Sequence, residues 1–288
     1  MVLIPADTAL WQLDIFLLVN LGAIATIYMW CSRSVRTLAI GQRLDGGSAH
    51  SATAPGAKWP WPRTLSFVAG IGLLAFAYVG PFGAWAHIMF WPHMAQHLVV
   101  MMLAAPFIVL GQPVRLAYLN LDEHGRERLL SALRSPVMTF LTRPAVGWVL
   151  FASVLLGAHL SYVMNAAVRS HDLMEFVMRP LFLFAALIFY YPLLGDDLIG
   201  RRPKRSVAVV SLGLMMIPET VLGIVVHLSP VVLYAPYEVT AELFGFDALV
   251  DQKFAGALMW AIAMVLDGIW MMVASLEWWR EQERISPD

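Results

Sequence analysis

The sequence predicts an all-α, polytopic membrane protein, a bundle of about seven transmembrane helices with the N-terminus outside and the C-terminus cytoplasmic. Three observations predict it. The chain is 59% hydrophobic and only 14% charged, with a mean hydropathy of +0.69, whereas soluble domains run near about 45–50% apolar and about 25% charged. Such sparse charge could not cover a globule of 288 residues in water. The apolar residues form continuous runs of roughly 20, the length a helix needs to cross a hydrocarbon core. The basic residues are sorted into alternate loops.

The first run covers about 11–31. Met1 to Leu10 carries no Lys or Arg, so it lacks the basic region of a cleaved signal peptide, and the run reads as a retained anchor. Gly41 to Pro62, rich in Gly, Ala, Ser and Pro, reads as a flexible linker. The second run is about 64–86 and the third about 93–112, the latter bent or shortened by Pro106 and Gly111. Leu121 to Leu133 has the pattern of a short amphipathic helix on the membrane face. Runs at about 144–164, 176–195, 207–233 and 254–279 complete a single membrane domain over 1–288. All are read as helices, because lipid satisfies no backbone hydrogen bond. A β-barrel would show alternating segments of about ten residues instead.

Orientation follows from Lys and Arg. The loops after the first, third and fifth runs and the tail carry sixteen of the nineteen basic residues: Arg33, Arg36, Arg43, Lys58, Arg63; Arg115, Arg126, Arg128, Arg134, Arg143; Arg201, Arg202, Lys204, Arg205; Arg280, Arg284. Arg169, Arg179 and Lys253 fall on the other side. The expected location is the inner (cytoplasmic) cell membrane, crossed many times.

Two of the eight histidines, His50 and His124, fall in cytoplasmic loops and carry no assigned role. The other six fall in the outer half: His87 before the third run, His93 and His97 opening it, His159 one turn from the end of the fourth, His171 in the next outer loop and His227 near the end of the sixth. Polar groups within the membrane are costly and mostly functional. A single such histidine is more often a snorkelling or capping group, but six on one side suggest a site. His93 and His97, at i and i+4, share a helix face, with Met101 on the same stripe and Met94 beside it. Imidazole and thioether suit copper, the thioether favouring Cu(I). Met89, Met164, Met174 and Met178 fall near the same surface, where methionine is also ordinary apolar filler.

Glu219, Gly223 and His227 form a second stripe; Glu219 lies roughly 12 Å below His227. Asp267 and Asn20 fall at a similar depth. These read either as a buried polar path or as interhelical hydrogen bonding that glues the bundle, the second slightly favoured. Asp251 and Gln252 are candidate outer partners of the histidines. The single cysteine, Cys31, excludes an internal disulfide and a thiolate cluster. No phosphate-binding glycine loop, no HExxH and no Lys in mid-span seven are present, against an ATPase, a zinc protease and a retinal protein.

The run His93-Met-Ala-Gln-His97, followed by Ala104-Ala-Pro106 and Leu110-Gly-Gln-Pro113, resembles the signature of the CtaG family of cytochrome c oxidase assembly factors, the polytopic kind found with Bacillus-type oxidases. The resemblance continues through Tyr190-Tyr-Pro-Leu-Leu-Gly195, Met216-Ile-Pro-Glu-Thr-Val-Leu-Gly223, Leu233-Tyr-Ala-Pro-Tyr237 and Asp251-Gln-Lys-Phe-Ala-Gly256 with Trp260, over roughly 65–280. It implies a seven-helix factor, not an enzyme, that helps build the copper centres of a haem-copper oxidase. His93 and His97 match the family's most recognisable pair, and His159 and His171 match outer-side histidines. Where similar proteins read His-x-x-x-His in the outer loop, this chain has His171-Asp-Leu-Met-Glu175, so Glu175 either pairs with Arg179 at i+4 or alters the metal preference.

The expected metal ligands are therefore drawn from His87, His93, His97, His159, His171, His227, Met94 and Met101, with copper, as Cu(I), as the metal. The expected partners are cytochrome c oxidase subunits, a copper donor protein and the lipid bilayer, with no nucleic acid. Two alternatives remain open at this point. One is a b-type cytochrome with haem between two of His97, His159 and His227. The other is a transporter of copper or another solute, marked by Glu219 and Asp267.

Overall fold

A computed structural model of the chain describes residues 13–44, 59–195, 198–199 and 203–285. Residues 1–12, most of the expected linker with His50 and Lys58, and Arg201 and Arg202 lie outside the described residues, as do the side chains of Arg36, Arg43 and Arg284. The described residues contain helices and no strand. In chain order the helices are α1 (Ile15–Leu44), α2 (Trp61–Tyr78), α3 (Gly80–Trp85), α4 (Phe90–His97), α5 (Ala105–Leu110), α6 (Pro113–Asn120), α7 (Glu123–Leu133), α8 (Pro136–Leu141), α9 (Pro144–Ala158), α10 (Ser161–Arg169), α11 (His171–Leu173), α12 (Arg179–Leu194), α13 (Arg205–Leu228), α14 (Ala235–Phe244) and α15 (Ala248–Ile285).

Among the described residues, five helical stretches are long and apolar enough to cross a membrane: Ile15–Val35, Phe90–Asn120, His171–Leu194, Arg205–Leu228 and Ala248–Arg280. α9 and α10 add a sixth if taken as one span broken by a 72° bend. The expected second crossing is divided instead. α2 stops at Tyr78, Val79 is extended, and α3 opens on Gly80 at φ 81°, a conformation open to glycine and costly to other residues. The fourth expected run does not continue straight to 164; it bends at His159 and Leu160. The amphipathic helix expected over 121–133 forms as α7, with Asp122 accepting from the Gly125 N–H as its N-cap.

Proline sets the breaks inside the third and fifth spans. α4 runs into a π-helical segment, Leu98–Ala104, and then α5, whose second residue is Pro106. A proline has no N–H and its ring crowds the carbonyl four residues back, here that of Met102. That freed carbonyl is recovered by the indole of Trp270 on α15, whose Nε1–H donates to it over 2.7 Å. The same arrangement recurs at Met174–Met178, a second π segment just before Pro180. Leu110-Gly-Gln-Pro113 turns the chain: Gln112 stands at φ 50° before Pro113, and the Gly111 carbonyl accepts from Tyr28 Oη at 2.7 Å.

The main core joins α4, α5, α9, α12, α13 and α15 around Phe90, Met94, Phe151, Phe189 and Met215. α1 and α2 form a second cluster, with Tyr28 stacked on Phe67 at 3.9 Å. α13 and α15 approach backbone to backbone where Gly223 meets Gly256; a Cβ on Gly256 would stand 2.5 Å from the His227 nitrogen. Asn20 does not enter the interior: it is exposed on α1 and donates to the Phe16 carbonyl of its own helix.

Candidate functional site

The histidine layer is built where the first turns of α4 meet the bend between α9 and α10. α4 begins at Phe90 because a carboxylate from another helix caps it. Asp251 on α15 accepts from the Phe90 N–H at 2.6 Å and from the Trp91 N–H at 3.3 Å, neutralising two of the four donors a helix start leaves bare. Gln252 accepts from the Leu233 N–H and donates to the Val231 carbonyl. Both residues thus fix backbone; neither bonds to an imidazole, which corrects their expected role as partners of the histidines. Tyr234 Oη donates to the His159 carbonyl at 3.0 Å and Tyr237 Oη to the Ala86 carbonyl at 3.1 Å, with both rings against Phe90. The Tyr-Ala-Pro-Tyr and Asp-Gln motifs therefore clamp α4 and the bend in place.

Inside this clamp three imidazoles adjoin. His93 Nε2 and His97 Nε2 are 2.9 Å apart, a hydrogen bond in which one ring donates and the other accepts. The His97 and His159 ring centroids are 5.2 Å apart. All three are buried, at 4%, 8% and 6% exposure. The Nδ1–H of His159 donates to the Leu155 carbonyl at 2.7 Å. Because a carbonyl only accepts, this bond puts the proton on Nδ1 and leaves Nε2 with a bare lone pair. That lone pair faces the Met94 sulfur at 3.2 Å. Two electron-pair donors face each other with no proton between them.

A cavity of about 10 Å³, room for a single ion or water, opens among His93, His97 and His159. Its remaining wall is Ala158, Met164, Ala167, Met174, Met178 and Phe182. Met174, Met178 and Phe182 recur at four-residue steps, and that stripe was visible in the sequence. Phe182 escaped notice because it carries no donor atom; it closes the cavity with its ring 4.2 Å from that of His97.

The other expected ligands are placed elsewhere. Met101 is 1% exposed in the core, one turn beyond His97, and does not line the cavity. Met89 is buried but does not line it either. His227 is held apart by its Nδ1–H bond to the Lys253 carbonyl at 2.7 Å. His171 is exposed and lines a separate groove of about 770 Å³ together with Asp14, Tyr78, Glu175 and Arg179. There Glu175 pairs with Arg179, whose guanidinium also stacks 4.4 Å over Tyr78. His87 is half-buried beside these groups; burial, then Arg179 and His171, hold its imidazole down to about 4.

Among the described residues, no three His, Cys, Asp or Glu side chains are already arranged as a metal-ion cage. Two nitrogens bound to one tetrahedral ion at about 2.05 Å would stand about 3.3 Å apart, so the 2.9 Å His93–His97 pair is a hydrogen-bonded state whose rings must part slightly to share an ion. The donor chemistry, imidazole with thioether, nonetheless fits Cu(I).

The sequence profile of the Caa3_CtaG family, described as cytochrome c oxidase caa3 assembly factor, matches residues 47–281. The chain belongs to this family. Curated relatives of this Caa3_CtaG protein include uncharacterized proteins of Mycobacterium bovis and Mycobacterium tuberculosis, each 29% identical over 237 residues, covering 80% of this chain and 36% of the relative. One from Mycobacterium leprae is 28% identical over 236 residues, covering 79% and 36%. The chain thus spans about a third of the length of these relatives. No solved structure matches it.

Proposed function

We propose that this Caa3_CtaG protein holds copper, as Cu(I), on its way into a haem-copper cytochrome c oxidase, without itself catalysing a reaction. The observation that carries this reading is the contact between His159 Nε2 and Met94 Sδ, 3.2 Å apart. Metal bonds of about 2.0 Å to nitrogen and about 2.3 Å to sulfur bring both atoms within reach of one small ion. His97 and His93 line the cavity together with His159, and the hydrogen bond between these two rings is the arrangement an incoming ion replaces. Copper is cargo here. A donor protein supplies it and an oxidase subunit accepts it.

Burial of all three imidazoles suits holding Cu(I) away from water and oxidants, so transfer requires the clamp around α4 to loosen. The split of basic residues supports a reading in which this layer lies at the outer face of the inner membrane, α2 serves as a seventh crossing, the N-terminus is outside and the C-terminus is cytoplasmic. A haem between His97 and His159 is disfavoured by space: about 10 Å³ accommodates an ion and not a porphyrin.

The test is a strain lacking this protein, complemented with wild type or His97→Ala. The expected result is oxidase subunits made but low oxidase activity in the deletion and in the His97→Ala strain, with the variant present at normal level on immunoblots. Full oxidase activity in the deletion at limiting copper overturns the reading.

A further inference from the structure

Below the histidine layer, three polar side chains from three helices are buried in the apolar core within electrostatic reach of one another: Tyr190 of α12, Glu219 of α13 and Asp267 of α15. Their exposures are 0%, 1% and 0%. Glu219 lies eight residues before His227 on α13, about 12 Å deeper along the helix axis. The carboxyls of Glu219 and Asp267 are close enough to act on each other directly, and Tyr190 lies within electrostatic reach of both. Yet neither Asp267 oxygen, nor Glu219 Oε2, nor the Tyr190 hydroxyl has a hydrogen bond of good geometry.

This pattern does not suit interhelical glue. Carboxyls that join helices saturate their oxygens with donors; here Glu219 Oε2, both Asp267 oxygens and the Tyr190 hydroxyl lack such a partner, and the contact left to the two carboxyls is with each other. Nor is it an ion pair. Among the described residues, neither carboxyl forms an ion pair with a Lys, Arg or His. Two ionised carboxylates side by side in hydrocarbon, without a counter-charge, cannot persist. A positive charge must enter the pair. A proton is the one that needs no cage of ligands, and like-charged carboxyls that share a site take up a proton between them.

We propose that Glu219 and Asp267 form a proton-binding pair in the middle of the membrane. The pair exchanges its proton with water. It is separate from the copper reading and stands or falls without it.

Infrared spectroscopy of the detergent-purified full chain tests this. At neutral pH the wild type should show a carboxylic-acid C=O band that moves to lower frequency in heavy water. The band should shift in Glu219→Gln and in Asp267→Asn and vanish in the double variant. Should a variant fail to fold, isotopic labelling of aspartate or glutamate carboxyls in the wild type assigns the band without substitution. A band that neither label moves overturns the proposal, as does one unaltered in the double variant or unresponsive to heavy water. A wild-type spectrum in which the band emerges only after chelation or removal of sodium also overturns it, because a metal or alkali cation then fills the pair.

Discussion

His159 Nε2 points its lone pair at the Met94 sulfur from 3.2 Å, while its other ring nitrogen is tied to the Leu155 carbonyl. One ligand is offered by the bend after α9 and the other by α4, so the contact exists only when these helices are clamped together. The backbone bond fixes the tautomer, a device that orients metal-ligating imidazoles.

Metal content should follow this layer. Copper bound by detergent-purified wild type is expected to fall below half in the His93→Ala/His97→Ala double variant and in Met94→Leu, measured by elemental analysis after reconstitution with Cu(I). Met101→Leu and His171→Ala should retain wild-type copper, since neither side chain lines the cavity and neither touches His159 as Met94 does. Equal loss in Met101→Leu would move the site deeper.

Glu219→Gln should lower thermal stability modestly and leave copper content intact. Glu219 lies about 12 Å below His227 along α13 and belongs to a different polar cluster from the cavity. Copper loss with the fold preserved would show that the two clusters are one site.

Asp251→Ala should destabilise the protein by about 2 kcal/mol or more. It removes a cap, worth ~1 kcal/mol in exposed helices, and leaves the Phe90 N–H bare in a buried setting, which adds ~1–3 kcal/mol. Asp251→Asn keeps an acceptor and should cost less. Thermal melts in detergent read both; equal melting of Asp251→Ala and wild type would contradict the cap.

Stability should fall as the medium is acidified from 6.5 toward about 4, the interval between the ordinary and the lowered value of the His87 imidazole. In that window the unfolded chain binds a proton that the native His87 refuses, so stability rises with pH across it. His87→Gln should flatten the slope of melting temperature against pH. An unchanged slope would show that His87 is not held neutral by burial, Arg179 and His171.

Single cysteines at 124 or 203 in a Cys31→Ser background should resist an impermeant maleimide in intact cells, whereas cysteines at 170 or 245 should label. The motive is the sixteen-to-three split of basic residues. Labelling at 124 would reverse the orientation.

The sequence by itself determined the helical class, the apolar runs and the coincidence of His93 with His97, because length, hydropathy and a four-residue step are properties of a chain before it folds. Tertiary structure decided the rest. Periodicity gives a residue's face, not which helix that face meets, so only packing could join His159 to Met94 and withdraw His227 to the Lys253 carbonyl. Asp251 and Asn20 show the same limit. A carboxylate near histidines reads as their partner until the fold aims it at a helix start, and an amide in a span reads as interior until its helix turns it outward. The π segments before Pro106 and Pro180 arise because a missing N–H frees a carbonyl, and for Pro106 the residue that recovers it, Trp270, lies on a helix more than 160 residues away.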